Sequence, residues 1–227
     1  PWPGTIAITT LLEFCSWLDE IKKGGGMMNF DRVKAALKKR GYAVSSFETA
    51  KDAADYLDQQ INGVSVSFGG SLTLSEMNLP KLLALHNTLC LPSQMYDDVL
   101  GEVDPVKAMS TDVFLTSVNA LAETGEMISI DGIGNRVASM MYGHKKVYLV
   151  IGRNKLAENF EKAVWRARNI AAPQNAKRLH MKTPCAVTGR CHDCSSPERI
   201  CRGVSVLLGK MFRMEMEVVL INEDLGL

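Results

Sequence analysis

Segments patterned for strands alternate with segments patterned for helices along most of this chain, and that alternation restricts the fold more than any other feature. Val64, Val66 and Phe68 recur at every second position, the period of a strand, and Gly69-Gly70 follow at once. Upstream, Phe30, Val33, Ala36 and Leu37 make a helical stripe that Asn29 can cap and Gly41 can end. A strand over Tyr42 to Phe47 and a helix over Thr49 to Ile61, with Ala53, Ala54 and Leu57 inward, complete a β-α-β unit. Further helices are predicted over Leu72 to His86, Asn135 to Tyr142 and Leu156 to Ile170. Strands are predicted over Thr88 to Leu91, Thr111 to Ala120, Met127 to Ile130, Val147 to Ile151 and Met216 to Ile221. The expected class is therefore α/β, with a mostly parallel sheet and helices on its faces.

The chain has 227 residues, 46% of them hydrophobic and 22% charged, enough to bury one core or one domain with an appendage. Lys and Arg total 26 against 25 acidic residues, a net charge of +1, so no chain-wide field draws it to nucleic acid or an anionic membrane. No stretch approaches the roughly 18 apolar residues of a membrane span, and no basic region precedes the apolar N-terminal stretch. The expected location is cytoplasmic.

That N-terminal stretch carries Leu11, Leu12, Phe14, Trp17, Leu18 and Ile21 at helical spacing, suited to a docking helix, then runs through Lys22-Lys23-Gly24-Gly25-Gly26 into Met27-Met28. Lys-Lys-Gly-Gly is what a purine-rich ribosome-binding sequence yields when translated in frame. The natural start is expected at Met27 or Met28, with residues 1–26 an upstream or non-native extension.

Three stretches carry candidate chemistry. The first, Gly69-Gly70-Ser71-Leu72-Thr73-Leu74-Ser75-Glu76, turns a strand into a helix. Glycines admit a ligand close to the backbone, and amides and hydroxyls at a helix start suit a phosphate or carboxylate. Thr73 and Glu76 also fit a capping box, which needs no ligand. The second pairs Glu123-Thr124-Gly125 with Asp131-Gly132-Ile133-Gly134-Asn135-Arg136. Here Glu123 could act as nucleophile or general base while Gly132, Gly134, Asn135 and Arg136 hold an anion; ordinary turn chemistry, with Asn135 as a helix cap, is the alternative.

The third holds Cys185, Cys191, Cys194 and Cys201 in a C-x5-C-x2-C-x6-C pattern. Four of the chain's six cysteines thus fall in one short segment, and in a reducing compartment such clustering favours metal binding. Zinc and a 4Fe-4S cluster both suit the spacing, while a redox disulfide or free thiols are the alternatives. His192 reads as a surface neighbour, and Cys15 and Cys90 as small buried hydrophobes. The basic run Arg166, Arg168, Lys177, Arg178, His180 and Lys182 lacks aromatic residues for base stacking and reads as a helix face and solvated loop, with Trp165 on a core stripe beside Phe160 and Ala163.

Taken in order, the Gly-Gly-Ser-x-Thr-Leu turn, Ala122-Glu123-Thr124-Gly125, Asp131-Gly132-x-Gly-Asn135-Arg136-Val137 and Arg168-Asn169-Ile170-Ala171-Ala172-Pro173-x-Asn175-Ala176-Lys177-Arg178-Leu179 resemble the LUD-domain family of lactate-utilisation proteins. The resemblance covers about residues 28–227, with the cysteine motif at 183–202. It implies a three-layer, Rossmann-like α/β domain, as in ribose phosphate isomerases, glucosamine-phosphate deaminases and coenzyme A transferases, with a C-terminal cysteine-rich segment. It also implies a link to oxidation of lactate to pyruvate alongside iron–sulfur proteins. By the same resemblance, Gly69, Gly70, Ser71 and Thr73 would bind an anion and Glu123 would carry an acyl group, although the residues around Glu123 match the transferase pattern only in part.

The expected role is an accessory or subunit of a lactate-oxidising system. It would bind a small carboxylate or phosphate-bearing ligand, hold a 4Fe-4S cluster or zinc on its four clustered cysteines, and work with iron–sulfur redox partner proteins. Two other roles compete with it: a stand-alone isomerase or acyl/CoA transferase-like enzyme using Glu123 with a structural zinc, and a ligand-sensing module without catalysis. Neither nucleic acid nor membrane is an expected partner, and an oligomer is compatible with all three roles.

Overall fold

Among the described residues seven parallel strands form one sheet, and its two longest, of seven residues each, lie side by side in its interior. The computed structural model describes residues 30–91 and 101–227. The N-terminal apolar stripe, Cys15, the Met27-Met28 start and the Asn29 cap lie outside the described residues. The described residues begin with α1 (Phe30–Lys39), whose Asp31 in the first turn and Lys38 and Lys39 in the last complement the helix dipole. Strand β1 (Ala43–Phe47) and helix α2 (Ala50–Gln60) follow, the latter capped by the Thr49 side chain, which accepts from the Asp52 amide at 3.1 Å.

After β2 (Ser65–Phe68), the helix expected over Leu72 to His86 is two short ones, α3 (Leu72–Glu76) and α4 (Leu79–Leu83). The break has a local cause. Asn78 adopts a left-handed conformation (φ 54°), and Pro80 has no amide to donate to the preceding turn. Strands β3 (Thr88–Leu91), β4 (Glu102–Val103) and β5 (Val113–Thr116) come next. The single strand expected over Thr111 to Ala120 ends at Thr116, and Ala120–Ala122 forms β6 in a different sheet.

The remaining elements are β7 (Met127–Asp131), α5 (Asn135–Met141), β8 (Lys146–Gly152), β9 (Leu156–Ala157), α6 (Phe160–Arg166), a π turn over Ala167–Ala171, α7 (Ala172–Arg178), α8 (Pro184–Thr188), β10 (Gly203–Leu207) and β11 (Glu215–Ile221). The helix expected from Leu156 therefore starts later, at Phe160, where Asn159 accepts from the Lys162 amide at 2.9 Å.

The large sheet has the order β1-β11-β8-β5-β2-β3-β4, and every neighbouring pair is parallel. Successive side chains of β8 face opposite ways. Tyr148 and Val150 enter a core shared with Leu57 of α2, Leu74 of α3 and Leu83 of α4, whereas Val147, Leu149 and Ile151 enter a core shared with Val33 and Leu37 of α1. Both faces are thus covered, which is why Val147 to Ile151 of β8 and Val218 to Ile221 of β11 read as unbroken apolar runs.

A second sheet, β10-β7-β6-β9, was not anticipated. One of its faces adds Leu121, Met127 and Leu207 to the α1 core; the other packs Ala120, Ala122 and Ile128 against Ala163 and Ala167. Small side chains on both partners let the α6 region lie close to this sheet. Trp165, expected in the core with Phe160, is instead 44% exposed, because the inward positions of α6 are Ala163 and Arg166. No helix of the described residues is long and apolar enough to cross a membrane.

Leu149→Ala, at a fully buried site of an inner strand, is expected to lower the unfolding free energy by about 2–5 kcal/mol in urea titrations. Leu85→Ala, on a side chain 79% exposed, is expected to change it by less than about 0.5 kcal/mol. Equal effects would contradict this assignment of the core.

Candidate functional site

The direction of the chain through the large sheet reverses between β2 and β5: β3 and β4 are added on one side of β2, and β5, β8 and β11 on the other. Loops leaving the carboxyl ends of two such strands diverge and leave a crevice. A cavity of about 570 Å³ opens there. Gly70 and Ser71 after β2, Ser117 and Asn119 after β5, and Lys155 after β8 line it from the large sheet. Asp131, Gly132, Asn135 and Arg136 line it from the β7–α5 turn, Arg178 from α7, and residues 197–200 and Arg202 from the cysteine segment.

Arg136 is built into the wall. Its guanidinium donates to the Ser117 carbonyl at 3.0 Å, to Asn119 Oδ1 at 3.0 Å and to the Ile130 carbonyl at 2.6 Å, and its Nε lies 3.5 Å from Asp131 Oδ2. Asp131 Oδ1 in turn accepts from the amides of Ile133 and Gly134, shaping the turn before α5. A second buried guanidinium, that of Arg166, donates to the carbonyls of Asn154 at 2.8 Å and Asn119 at 2.5 Å. Burial lowers its pKa to about 10.

Lys155 lies between these arginines and is 4% exposed. Its Nζ donates to Thr73 Oγ1 at 2.7 Å and Ser117 Oγ at 2.9 Å. Among the described residues no carboxylate comes within ion-pair distance of it; the nearest acidic influence, Glu76, accepts from the Gly226 amide at 2.7 Å. Desolvation, then the charges of Arg166 and Arg136, pull the Lys155 pKa down to about 7, against a weaker upward pull from Glu76. An amine held near neutrality inside a cleft marks a functional-site candidate.

The expected anion-binding residues come together in part. Gly70, Ser71, Gly132, Asn135 and Arg136 line the cavity. Gly69 does not; a Cβ there would lie 2.5 Å from Thr116 Oγ1 and 3.0 Å from Arg136 Cγ, so glycine is required for packing. Thr73 is not a helix cap. Ser71 caps α3, and Thr73 is buried beneath the cavity as an acceptor for Lys155. Gly134, at φ 98°, is the cap residue of α5, and Asn135 is its first helical residue.

Glu123 lies outside the cavity lining. It pairs with Arg32 of α1 at 3.3 Å, and its amide donates to the Ala157 carbonyl at 2.8 Å.

The four clustered cysteines are free thiols, and among the described residues no three His, Cys, Asp or Glu side chains come together as a metal shell. Cys185 lies in the first turn of the short helix α8 beside Thr183 Oγ1 at 3.3 Å, and Cys191 Sγ accepts from the Asp193 amide at 3.4 Å and from Arg168 at 3.7 Å. Arg199 ties the Cys194 carbonyl at 2.6 Å to the Cys201 carbonyl at 3.0 Å. Residues 197–200 and Arg202 of the same segment form one wall of the cavity. His192 is exposed beside Thr188, and Cys90 is buried, as expected.

Lys155 and Arg166 escaped the sequence reading because a helix was placed from Leu156 and a solvated basic face from Arg166. A signal was present: Gly152-Arg153-Asn154-Lys155 directly follows the most apolar strand, where open α/β sheets bind ligands.

With this geometry in hand, comparisons with known proteins add the following. A family model described as the LUD domain matches residues 30–221. A DUF162 family protein from Deinococcus radiodurans is 13% identical over 85% of this chain and 95% of its own, with a TM-score of 0.46. Ribose 5-phosphate isomerase A from Neisseria gonorrhoeae is 12% identical, with 48% and 53% covered and a TM-score of 0.35. The eIF2B beta protein from Chaetomium thermophilum is 14% identical, with 49% and 44% covered and a TM-score of 0.38. No curated protein matches the chain.

The Lys155 shift sets a pH dependence. Its folded pKa of about 7 lies below the ordinary 10.5, so between those values the unfolded chain binds more protons and this residue's contribution to stability rises with pH. The unfolding free energy of the parent is expected to rise relative to that of Lys155→Met as pH is raised from about 7 to about 9 in urea titrations. A pH-independent difference would mean that Lys155 titrates as an ordinary lysine.

Proposed function

The chain belongs to the LUD domain family, and from that membership we propose that this lactate-utilisation-related protein holds a small carboxylate in the cavity at the reversal of its parallel sheet. One observation carries the reading: the glycine-serine turn after β2 and the buried amine of Lys155 converge on a single cavity of about 570 Å³, a volume suited to a small molecule. Arg178 and Arg202 line the same cavity. Arg178 is held through Asn175 Oδ1 at 2.7 Å, which leaves guanidinium donors for a carboxylate, and Arg202 through the Pro197 carbonyl at 2.7 Å.

The buried guanidiniums of Arg136 and Arg166 add positive potential, Arg136 from the cavity wall, where Ser117, Asn119 and Ile130 fix its orientation, and Arg166 from behind it. A carboxylate of lactate or pyruvate size is therefore bound by rim arginines and turn amides over a floor that gains charge when Lys155 takes a proton. Glu123 has no part in this reading, since it pairs with Arg32 outside the cavity. The cysteines enter as the wall that carries Arg199 and Arg202, and no electron-transfer step is assigned to them.

Calorimetric titration with lactate and pyruvate tests the reading. Saturable binding is expected, with methyl pyruvate not bound and Arg178→Ala weakening affinity roughly tenfold, the loss of one charge-assisted hydrogen bond. Equal binding of the ester, or no binding of either acid, would overturn it.

A further inference from the structure

Lys155 has the surroundings of a reactive amine rather than a structural cation. A lysine buried for structural reasons normally finds a carboxylate, whereas Lys155 Nζ has two hydroxyl acceptors, Thr73 Oγ1 at 2.7 Å and Ser117 Oγ at 2.9 Å, and a cavity. A tetrahedral nitrogen bonded to Cε and donating two hydrogens has one position left. On the neutral amine that position carries the lone pair.

We propose that Lys155 condenses with the keto carbon of a small 2-oxo carboxylate held in the cavity, forming an imine. The inference rests on the carboxylate-binding reading above. The rim supplies cations for the carboxylate, and the floor supplies a nucleophile for the adjacent carbonyl. The Nζ lone pair adds to C2, and the carbonyl π bond breaks to give a carbinolamine. The C2–O bond then breaks, and the oxygen departs as water with both amine hydrogens, leaving C2 doubly bonded to Nζ. Thr73 and Ser117, the acceptors of those hydrogens, are placed to pass them on.

Burial and the charges of Arg166 and Arg136 lower the Lys155 pKa to about 7, so a substantial fraction of the amine is neutral near pH 7, the condition that addition requires. An ordinary lysine at pH 7 is neutral in fewer than about one molecule in a thousand.

The test is reductive trapping. The full chain is incubated with pyruvate and sodium cyanoborohydride near neutral pH, and its peptides are mapped by mass spectrometry, with calorimetry on the same samples. One 1-carboxyethyl group is expected on Lys155. Labelling there should exceed that of Lys51, an exposed lysine 80% accessible in its side chain, by on the order of tenfold or more, given the difference in neutral fraction.

Lys155→Arg, whose guanidinium cannot form the imine, should lose that label, while calorimetry on the parent chain reads pyruvate binding separately. If pyruvate binds but labelling follows exposure, or if Lys155→Arg labels as the parent does, the imine is refuted and the carboxylate reading stands. If pyruvate does not bind, both fall.

Discussion

The guanidinium of Arg136 is the fastening on which the architecture of the cavity depends. Where the chain leaves the parallel sheet after Thr116 and starts the second sheet at Ala120, Arg136 donates to the Ser117 carbonyl and to Asn119 Oδ1, which also accepts from the Ile130 amide. An unpaired buried carbonyl costs about 1–3 kcal/mol, and Arg136 satisfies two of them together with the Asn119 side chain. Arg166 does the same for the carbonyls of Asn119 and Asn154. Two sheets with different strand directions are thereby joined at one place. That place is also the reversal point of the large sheet.

The fastening has an electrostatic consequence. Carbonyl oxygens satisfy hydrogen bonds but do not neutralise charge, so much of the positive field of the two arginines stays in a poorly solvated region. Asp131 answers that of Arg136 in part, at 3.5 Å. Lys155, at the end of the short turn after β8, sits in that field and resists protonation. Structural demand and site chemistry therefore have one origin, the arginines that close the switch between sheets.

This hierarchy explains what the sequence could convey. The parallel sheet was legible because Val147 to Ile151 and Val218 to Ile221 are apolar throughout, as strands covered on both faces tend to be. The second sheet was not, because β6 and β9 span three and two residues, too few to show a period, and β6 merges in sequence with the strand before it. The glycine turn was legible as a turn, but only packing distances show that Gly69 serves Thr116 and Arg136. Arg166 looked solvated because a charged residue on a basic helix usually is; its burial depends on carbonyls supplied by distant loops. Cys185, Cys191, Cys194 and Cys201 were legible as one short segment, and its backbone is tied locally, Arg199 binding the carbonyls of Cys194 and Cys201.

The central claim is that two structural arginines hold a near-neutral lysine at the floor of the ligand cavity. The most direct measurement is an NMR titration of the Lys155 side chain in protein carrying nitrogen-15 lysine, with the signal assigned by its loss in Lys155→Met. The account predicts a midpoint near about 7; a midpoint at the ordinary 10.5 would contradict it.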